Sequence, residues 1–241
     1  MPRAAQAPMP TLQLDVALQL LQQSGRSPPE GDPSSPFWLQ SVIDALVEIS
    51  SKDALTGLSN RRAFELALGR ELDRVARSGE PALLLTLDID HFKSVNDTHG
   101  HHVGDLVIQA VARALQDSVR PMDLVARVGG EEFSIILPNC PSSFGETVAE
   151  RIRRRVEGMP VAIGPPGAPQ TLSVTVSIGG AFAPQWVRST PVLWIERTDQ
   201  QLYRAKAHGR NLVRLEPTAS PMVTPEERRM LFDQFQPQEH E

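Results

Sequence analysis

The sequence has a single cysteine, Cys140, in 241 residues. No intrachain disulfide can form, which fits a reducing compartment. Nowhere does a run reach the about 18 uncharged apolar residues that a membrane span needs. Asp15 interrupts the one apolar run near the N-terminus, so a secretory signal is not expected either. The cytoplasm is the expected location. A basic excess is also missing: 24 Lys and Arg stand against 29 Asp and Glu, net −5. That argues against a general nucleic-acid binder with its basic stripe. A nucleotide substrate stays open, because a bound cation can neutralise phosphate locally. There is no internal repeat.

What is present is 40% hydrophobic residues, enough for a sizeable core, and a punctuation by proline. Prolines crowd the first 36 residues and return after Pro217. The pattern divides the chain into a helical extension and linker over 1–50, a main domain over 51–216 and a tail over 217–241, with a short helix expected at 225–235. Residues 11–24 read as a helix stopped by Gly25, and 26–35 as a linker. Ser35 is a suitable N-cap with Pro36 at the first helical position. Leu39, Val42, Leu46 and Ile49 then recur at 3-4-3 spacing. Such a seam serves either a partner helix, as in dimerisation, or packing on the helix's own domain; two heptads leave both readings open.

From Asp53 onward, strands and helices alternate. Phe64, Leu68, Leu72 and Val75 predict a helix, residues 82–89 an apolar strand, and Val103 to Leu115 a second helix. Strands are expected at 124–128 and 132–137, and a helix at 145–157. A half-buried strand is expected where Leu172, Val174, Val176 and Ile178 alternate with hydroxyl residues. A helix over 191–207 and a strand near 211–215 complete the series. The class is α/β, a sheet with helices stacked on it.

Two acidic stretches stand out. Asp88 and Asp90 fall where the strand 82–89 runs out, a usual place for a ligand site. The plain alternative is a solvated loop pair, and an Asp-x-Asp spacing alone favours it. Gly129-Gly130-Glu131-Glu132-Phe133 lies between two expected strands. Gly-Gly permits positive φ and a tight turn, and glycines also let a substrate approach the backbone. If strands 82–89 and 124–137 are neighbours, Asp88 and Glu131 can converge on one divalent ion.

The motifs, taken in order, carry more than periodicity does. They are DALTGLSNRR over 53–62, DIDHFKSVND over 88–97, GHHVGD over 100–105 and RVGGEEF over 127–133, then SIG over 177–179, LYRAK over 202–206 and GRN over 209–211. The series resembles the GGDEF family of diguanylate cyclases, from Asp53 to about Leu215. That resemblance implies an α+β domain with a nucleotidyl-cyclase- or palm-like central sheet, mixed and largely antiparallel, flanked by helices. It implies GTP as substrate, cyclic di-GMP as product, two Mg2+ (or Mn2+) ions per GTP, and a homodimer at least transiently.

Carried over residue by residue, it makes Asp88, the Ile89 carbonyl and Glu131 the metal ligands. Glu131 is also the proton acceptor for the ribose 3′-hydroxyl, and Glu132 the second motif acid. Asn96, His101 and Asp105 would contact the nucleoside. Lys93, Lys206 and Arg210 would lie on the phosphate side, and Gly129 and Gly130 at the substrate. Asn96 can donate and accept and Asp105 can accept, which suits the mixed edge of guanine. Lys206 and Arg210, four apart at an expected helix end, share a face. Arg120-x-x-Asp123 stands where the family often carries an inhibitory site for cyclic di-GMP, and the arginine fork suits phosphate and base. Gly57 and Asn60 are expected to shape the turn before the helix at Arg61, and Leu55, Leu58, Phe92 and Phe133 to serve as core or pocket wall. Departures are small: Val128 stands where an aromatic is common, and Thr198 where alanine is usual. The alternatives are a silent cyclic di-GMP receptor on the same fold and a cyclase of another nucleotide.

Overall fold

The computed structural model describes residues 12–164, 170–185 and 189–217. The first two helices are α1 (Asp15–Gln23) and α2 (Pro36–Ser50). The Ser35 side chain accepts from the Phe37 N–H, and Pro36 occupies the first turn where its missing N–H costs nothing. The seam of α2 finds its partner inside the chain. Leu39, Val42, Leu46 and Ile49 pack with Leu14, Leu18 and Leu21 of the α1 region, and Trp38 joins them. The Trp38 indole donates to the Pro29 carbonyl at 2.8 Å, which pins the linker across this small core. Ile43 and Val47 stay exposed.

A clasp joins this helical hairpin to the first strand of the sheet. The Asn60 amide side chain donates to the carbonyl of Ser50 at 2.7 Å and of Lys52 at 3.3 Å. Its backbone N–H donates to Ser51, and its Oδ1 caps the next helix by accepting from Ala63 N. β1 (Ser59–Asn60) leads directly into α3 (Arg61–Ser78), which buries Phe64, Leu68, Leu72 and Val75. Gly57 takes the positive φ that the preceding turn needs.

β2 (Ala82–Ile89) is buried at all eight positions and is central to the sheet. After it come α4 (Phe92–His99), α5 (His101–Asp117), β3 (Leu124–Arg127), β4 (Glu132–Pro138), α6 (Ser142–Glu157), β5 (Val161–Ala162), β6 (Thr171–Leu172), β7 (Val176–Phe182), α7 (Pro191–Ala207) and β8 (Val213–Leu215). The six-stranded order is β1-β3-β4-β2-β7-β8, with β5 and β6 forming a separate pair. β1 with β3 and β7 with β8 are parallel, and the other pairings of the main sheet are antiparallel. The expected mixed, largely antiparallel sheet is therefore present.

The two faces of β2 serve two cores. Leu83, Leu85, Leu87 and Ile89 pack with Val107, Val111 and Leu115 of α5 and Ile152 and Val156 of α6. Ala82 and Leu84 pack with Phe64 and Leu68 of α3 and Trp194 of α7. Each fully buried leucine is worth about 1.5–3 kcal/mol, and a one-residue slip would exchange the faces, so the register is fixed. Asp88 follows Thr86 on the α3/α7 face because the period is two. α7 lies very close on β7: a Cβ at Gly179 would stand 2.2 Å from the Leu202 backbone nitrogen.

Two expectations need correction. The strand read over 172–178 is β6 ending at Leu172 and β7 beginning at Val176. β7 is buried on both faces rather than half-buried. Ser177, wholly buried, is satisfied by donating to Asp90, so its hydroxyl did not mark a solvent side. α4 was not expected, because two apolar residues, Phe92 and Val95, are too few for a periodic signal. The tail helix expected at 225–235 lies outside the described residues. No described helix is long and apolar enough to cross a membrane.

Candidate active site

The antiparallel pairing of β2 with β4 sets Asp88 opposite Glu132, and the Ile89 N–H donates to the Glu131 carbonyl at 3.3 Å. The end of the central strand therefore meets the acidic turn between β3 and β4. The turn is closed by the N–H groups of Val128 and Gly129, both donating to the Glu132 carbonyl. The Arg127 guanidinium holds it from outside, donating to the Gly130 carbonyl at 2.8 and 3.1 Å and pairing with Asp53 at 3.3 Å. Asp53 also accepts from the Thr56 N–H at 2.9 Å and hydroxyl at 2.6 Å. Burial opposes ionisation of Asp53, but the Thr56 bonds and the Arg127 charge win and hold its carboxyl below the usual range.

Neither glycine of the turn has a positive φ, contrary to the tight-turn expectation. At Gly129 the need is steric: a Cβ would lie 2.4 Å from a Glu132 carboxylate oxygen. At Gly130 a Cβ would meet no protein atom within 4 Å, so open space lies before its backbone.

Asp88 is only 8% exposed, and the Lys206 ammonium sits 2.8 Å from its Oδ2. Burial, then the Asp88 charge, push the Glu131 carboxyl above its ordinary range; Lys206 opposes the shift and Glu132 adds to it. Glu131 thus feels two like charges, Asp88 and Glu132, against the single ammonium of Lys206, an excess that a divalent cation would relieve. The donors are all oxygen, as magnesium prefers, and one or two carboxylates completed by phosphate is its usual protein set. The residues present fit such an ion. No group of three or more metal-ligating side chains is found among the described residues.

Asp90 does not join the cluster. It is 5% exposed and accepts from the hydroxyls of Thr175 and Ser177 and the N–H of Asn211. The solvated loop pair is therefore wrong for both carboxylates, and spacing alone did not distinguish their roles.

α4 and α5 form a helical hairpin that follows the end of β2. Asn96 Oδ1 is buried there with no hydrogen-bond partner, pressed so close to Gly104 that a Cβ at 104 would lie 2.0 Å from it. Lys93, His101 and Asp105 are exposed on the same hairpin. Lys206 lies in the last turn of α7, but Arg210 does not extend that helix. Gly209 (φ 118°), Arg210 (φ 63°) and Asn211 (φ 47°) turn the chain away, so the two basic residues do not share a helical face. The glycine at 209 was the available signal for this break.

Arg120 and Asp123 lie in the turn before β3. Asp123 accepts from the Arg120 backbone N–H at 2.7 Å, not from its guanidinium, and burial raises its carboxyl above the ordinary range against that bond and nearby arginine charge. A cavity of about 500 Å3 opens here, lined by Lys52, Gln116, Arg120, Met122 and Asp123 among others. The ion pair between Arg120 and Asp123 that a surface loop would offer is absent among the described residues. Leu58, Phe92 and Phe133 are core residues, with Leu55 packed against them. Two contacts were not foreseen: Lys206 on Asp88, and Arg127 on Asp53. All four residues belonged to recognised motifs, but nothing in their spacing paired them.

Sheet order, helical layers and the acidic turn at the central strand's end define a domain of the cyclase fold. The family model described as "Diguanylate cyclase, GGDEF domain" matches residues 50–212. The response regulator PleD of Caulobacter vibrioides is 40% identical over 176 residues, which are 73% of this chain and 38% of that protein. Among solved structures, the coiled coil and GGDEF domain of DgcB from Caulobacter crescentus, in complex with c-di-GMP, has a TM-score of 0.68 at 34% identity. That match covers 74% of this chain and 92% of that one. The diguanylate cyclase SiaD of Pseudomonas aeruginosa, in complex with its activator SiaC, also has a TM-score of 0.68, at 38% identity, covering 74% and 66%. The chain belongs to the GGDEF family of diguanylate cyclases. It spans well under half the length of the curated relative PleD.

Proposed function

We propose that this chain is a diguanylate cyclase, condensing two GTP molecules to cyclic di-GMP with release of two pyrophosphates. The observation that carries the reading is the meeting of Asp88, at the end of β2, with Glu131 in the turn that pairs beside it. Residues 51–216 form the catalytic unit, with 1–50 as a helical extension and 217–241 as a tail.

Asp88, the Ile89 carbonyl and Glu131 would hold two divalent ions, Mg2+ or Mn2+. Bound there, the ions would neutralise phosphate charge and acidify the attacking hydroxyl. The chain's own groups do the rest. Asn96, with its unpartnered buried oxygen, and Asp105 accept from the guanine edge, and His101 contacts the nucleoside. Lys93, Lys206 and Arg210 grip the phosphates, and the open space at Gly130 admits them to the backbone. Glu131 accepts the proton of the 3′-hydroxyl; Glu132, through its backbone carbonyl, keeps the turn closed beside it. The 3′-oxygen of one GTP bonds to the α-phosphorus of the other, and pyrophosphate leaves in line. One domain carries one nucleotide, so two copies must face each other, at least transiently. Cyclic di-GMP binds back at Arg120 and Asp123, where the cavity offers a guanidinium free of that carboxylate.

The test is incubation of pure protein with magnesium and GTP or ATP, with product identification. Cyclic di-GMP from GTP alone is expected, and Glu131→Gln should lower turnover on the order of a thousandfold with the fold intact. No product from GTP, with cyclic di-GMP still bound, would support the silent receptor instead. A cyclic product from ATP would support a different cyclase.

A further inference from the structure

Asp90 is among the most buried charged groups in the described residues, and the proposed reaction makes no use of it. Its Oδ1 accepts from Ser177 Oγ at 2.6 Å. Its Oδ2 accepts from Thr175 Oγ1 at 2.7 Å and from the Asn211 backbone N–H at 2.9 Å. Its own N–H donates to the Thr175 carbonyl at 2.9 Å. No cation pairs with it among the described residues, so only these dipoles compensate a buried charge. Both oxygens of Asp90 are thus engaged by the chain itself.

The three segments that it ties together are informative. One is the end of β2, with Asp88 and Ile89, together with the start of α4, which carries Lys93. Another is the entry to β7. The third is the segment after α7, where Arg210 and Asn211 take consecutive left-handed conformations. For residues other than glycine, each such conformation costs about 1 kcal/mol or more, so something must hold the pair. The Asp90 carboxylate holds it by the backbone. The Asn211 side chain holds it from the other side, donating to Glu157 at 2.7 Å and accepting from Arg153 at 2.7 Å.

We infer that Asp90 is a positioning residue for the triphosphate, fixing the Lys206–Arg210 segment against the end of β2 that carries Asp88, through Asn211. The inference rests on the cyclase reading, in which both segments serve one triphosphate. Hydrogen bonds to an ionised acceptor are about twice as strong as neutral ones, which suits a carboxylate for holding a strained backbone.

The test uses the full chain with magnesium and two ligands: GTP with a methylene bridge between its α and β phosphates, which cannot turn over, and GMP. Wild type should bind both. Asp90→Asn should lower affinity for the triphosphate about tenfold and leave GMP unchanged, since the guanine contacts are on α4 and α5. Asn211→Gly, free to adopt the left-handed backbone, should lie closer to wild type than Asn211→Ala. If Asp90→Asn does not fold, Thr175→Val removes one donor at constant shape and carries the same readout. An unchanged ratio of the two affinities, with only the melting temperature lowered, would overturn the inference and leave the cyclase reading standing. Wild-type protein that binds neither ligand would overturn both.

Discussion

The ammonium of Lys206 lies 2.8 Å from the carboxylate of Asp88, so the proposed phosphate ligand and the proposed metal ligand are each other's partner in the free chain. A metal ion and a phosphate together would exchange this contact for two separate ones. Lys206→Met should leave Asp88 buried without a cation and destabilise the metal-free protein by about 1–2 kcal/mol, less than a fully buried pair because the lysine is partly exposed. Magnesium should then raise the melting temperature of the variant more than that of wild type. Equal shifts in a thermal melt would show that the ion does not reach Asp88. GTP affinity of the variant should also fall about tenfold, the loss of one charge-assisted contact.

The two glycines of the acidic turn should behave differently. Gly130→Ala meets open space and needs no left-handed backbone, so stability should change by less than about 0.5 kcal/mol. Activity should nevertheless fall about tenfold or more, because a methyl group occupies the approach to the backbone. Gly129→Ala must displace Glu132 and should lower stability as well. Steady-state kinetics with parallel melts separates the two; full activity in Gly130→Ala would count against a substrate in that space.

Product inhibition is expected for wild type and should be weakened in Arg120→Ala by at least about tenfold in the inhibitor concentration needed. Initial rates should be unchanged, since Arg120 lies in the turn before β3, outside the catalytic cluster. Identical inhibition curves would remove the feedback site.

Asp53 gives a pH signature. Its carboxyl is held below the usual range, against burial, by Thr56 and Arg127. A depressed folded value means that the contribution is complete above the unfolded value, about 3.9, and fades as pH falls through the folded one. Asp53→Asn should therefore cost about 1–2 kcal/mol at neutral pH, and progressively less below about pH 4. Urea midpoints measured between neutral and acidic pH give the slope; a constant difference would mean that the charge on Asp53 does not matter.

Strong periodicity made most of the frame legible. The apolar run of β2 and the recurrence of α3 bury the residues they nominated, and that of α5 buries its own except Val103 and Leu106, which are partly buried. The meeting of Asp88 with Glu131 was legible only conditionally, because sequence does not say which strands are neighbours. Reading failed where side chains serve each other over long separations. Ser177 looked like a solvent-facing alternation until Asp90, 87 residues away in the chain, is seen to accept its proton. Arg210 looked helical because spacing of four carries no record of φ. The α2 seam was sound, but periodicity does not name a partner, and α1 fills that place.

The Asn60 clasp makes the extension mechanically continuous with the chemistry. One side chain grips the carbonyls at the foot of α2, while its own residue pairs in β1 with Arg127, the arginine that grips the Gly130 carbonyl. Only a few hydrogen bonds separate a helix outside the sheet from the acidic turn. A displacement of α2 would be passed through Asn60 and β1 toward the turn that carries Glu131 and Glu132.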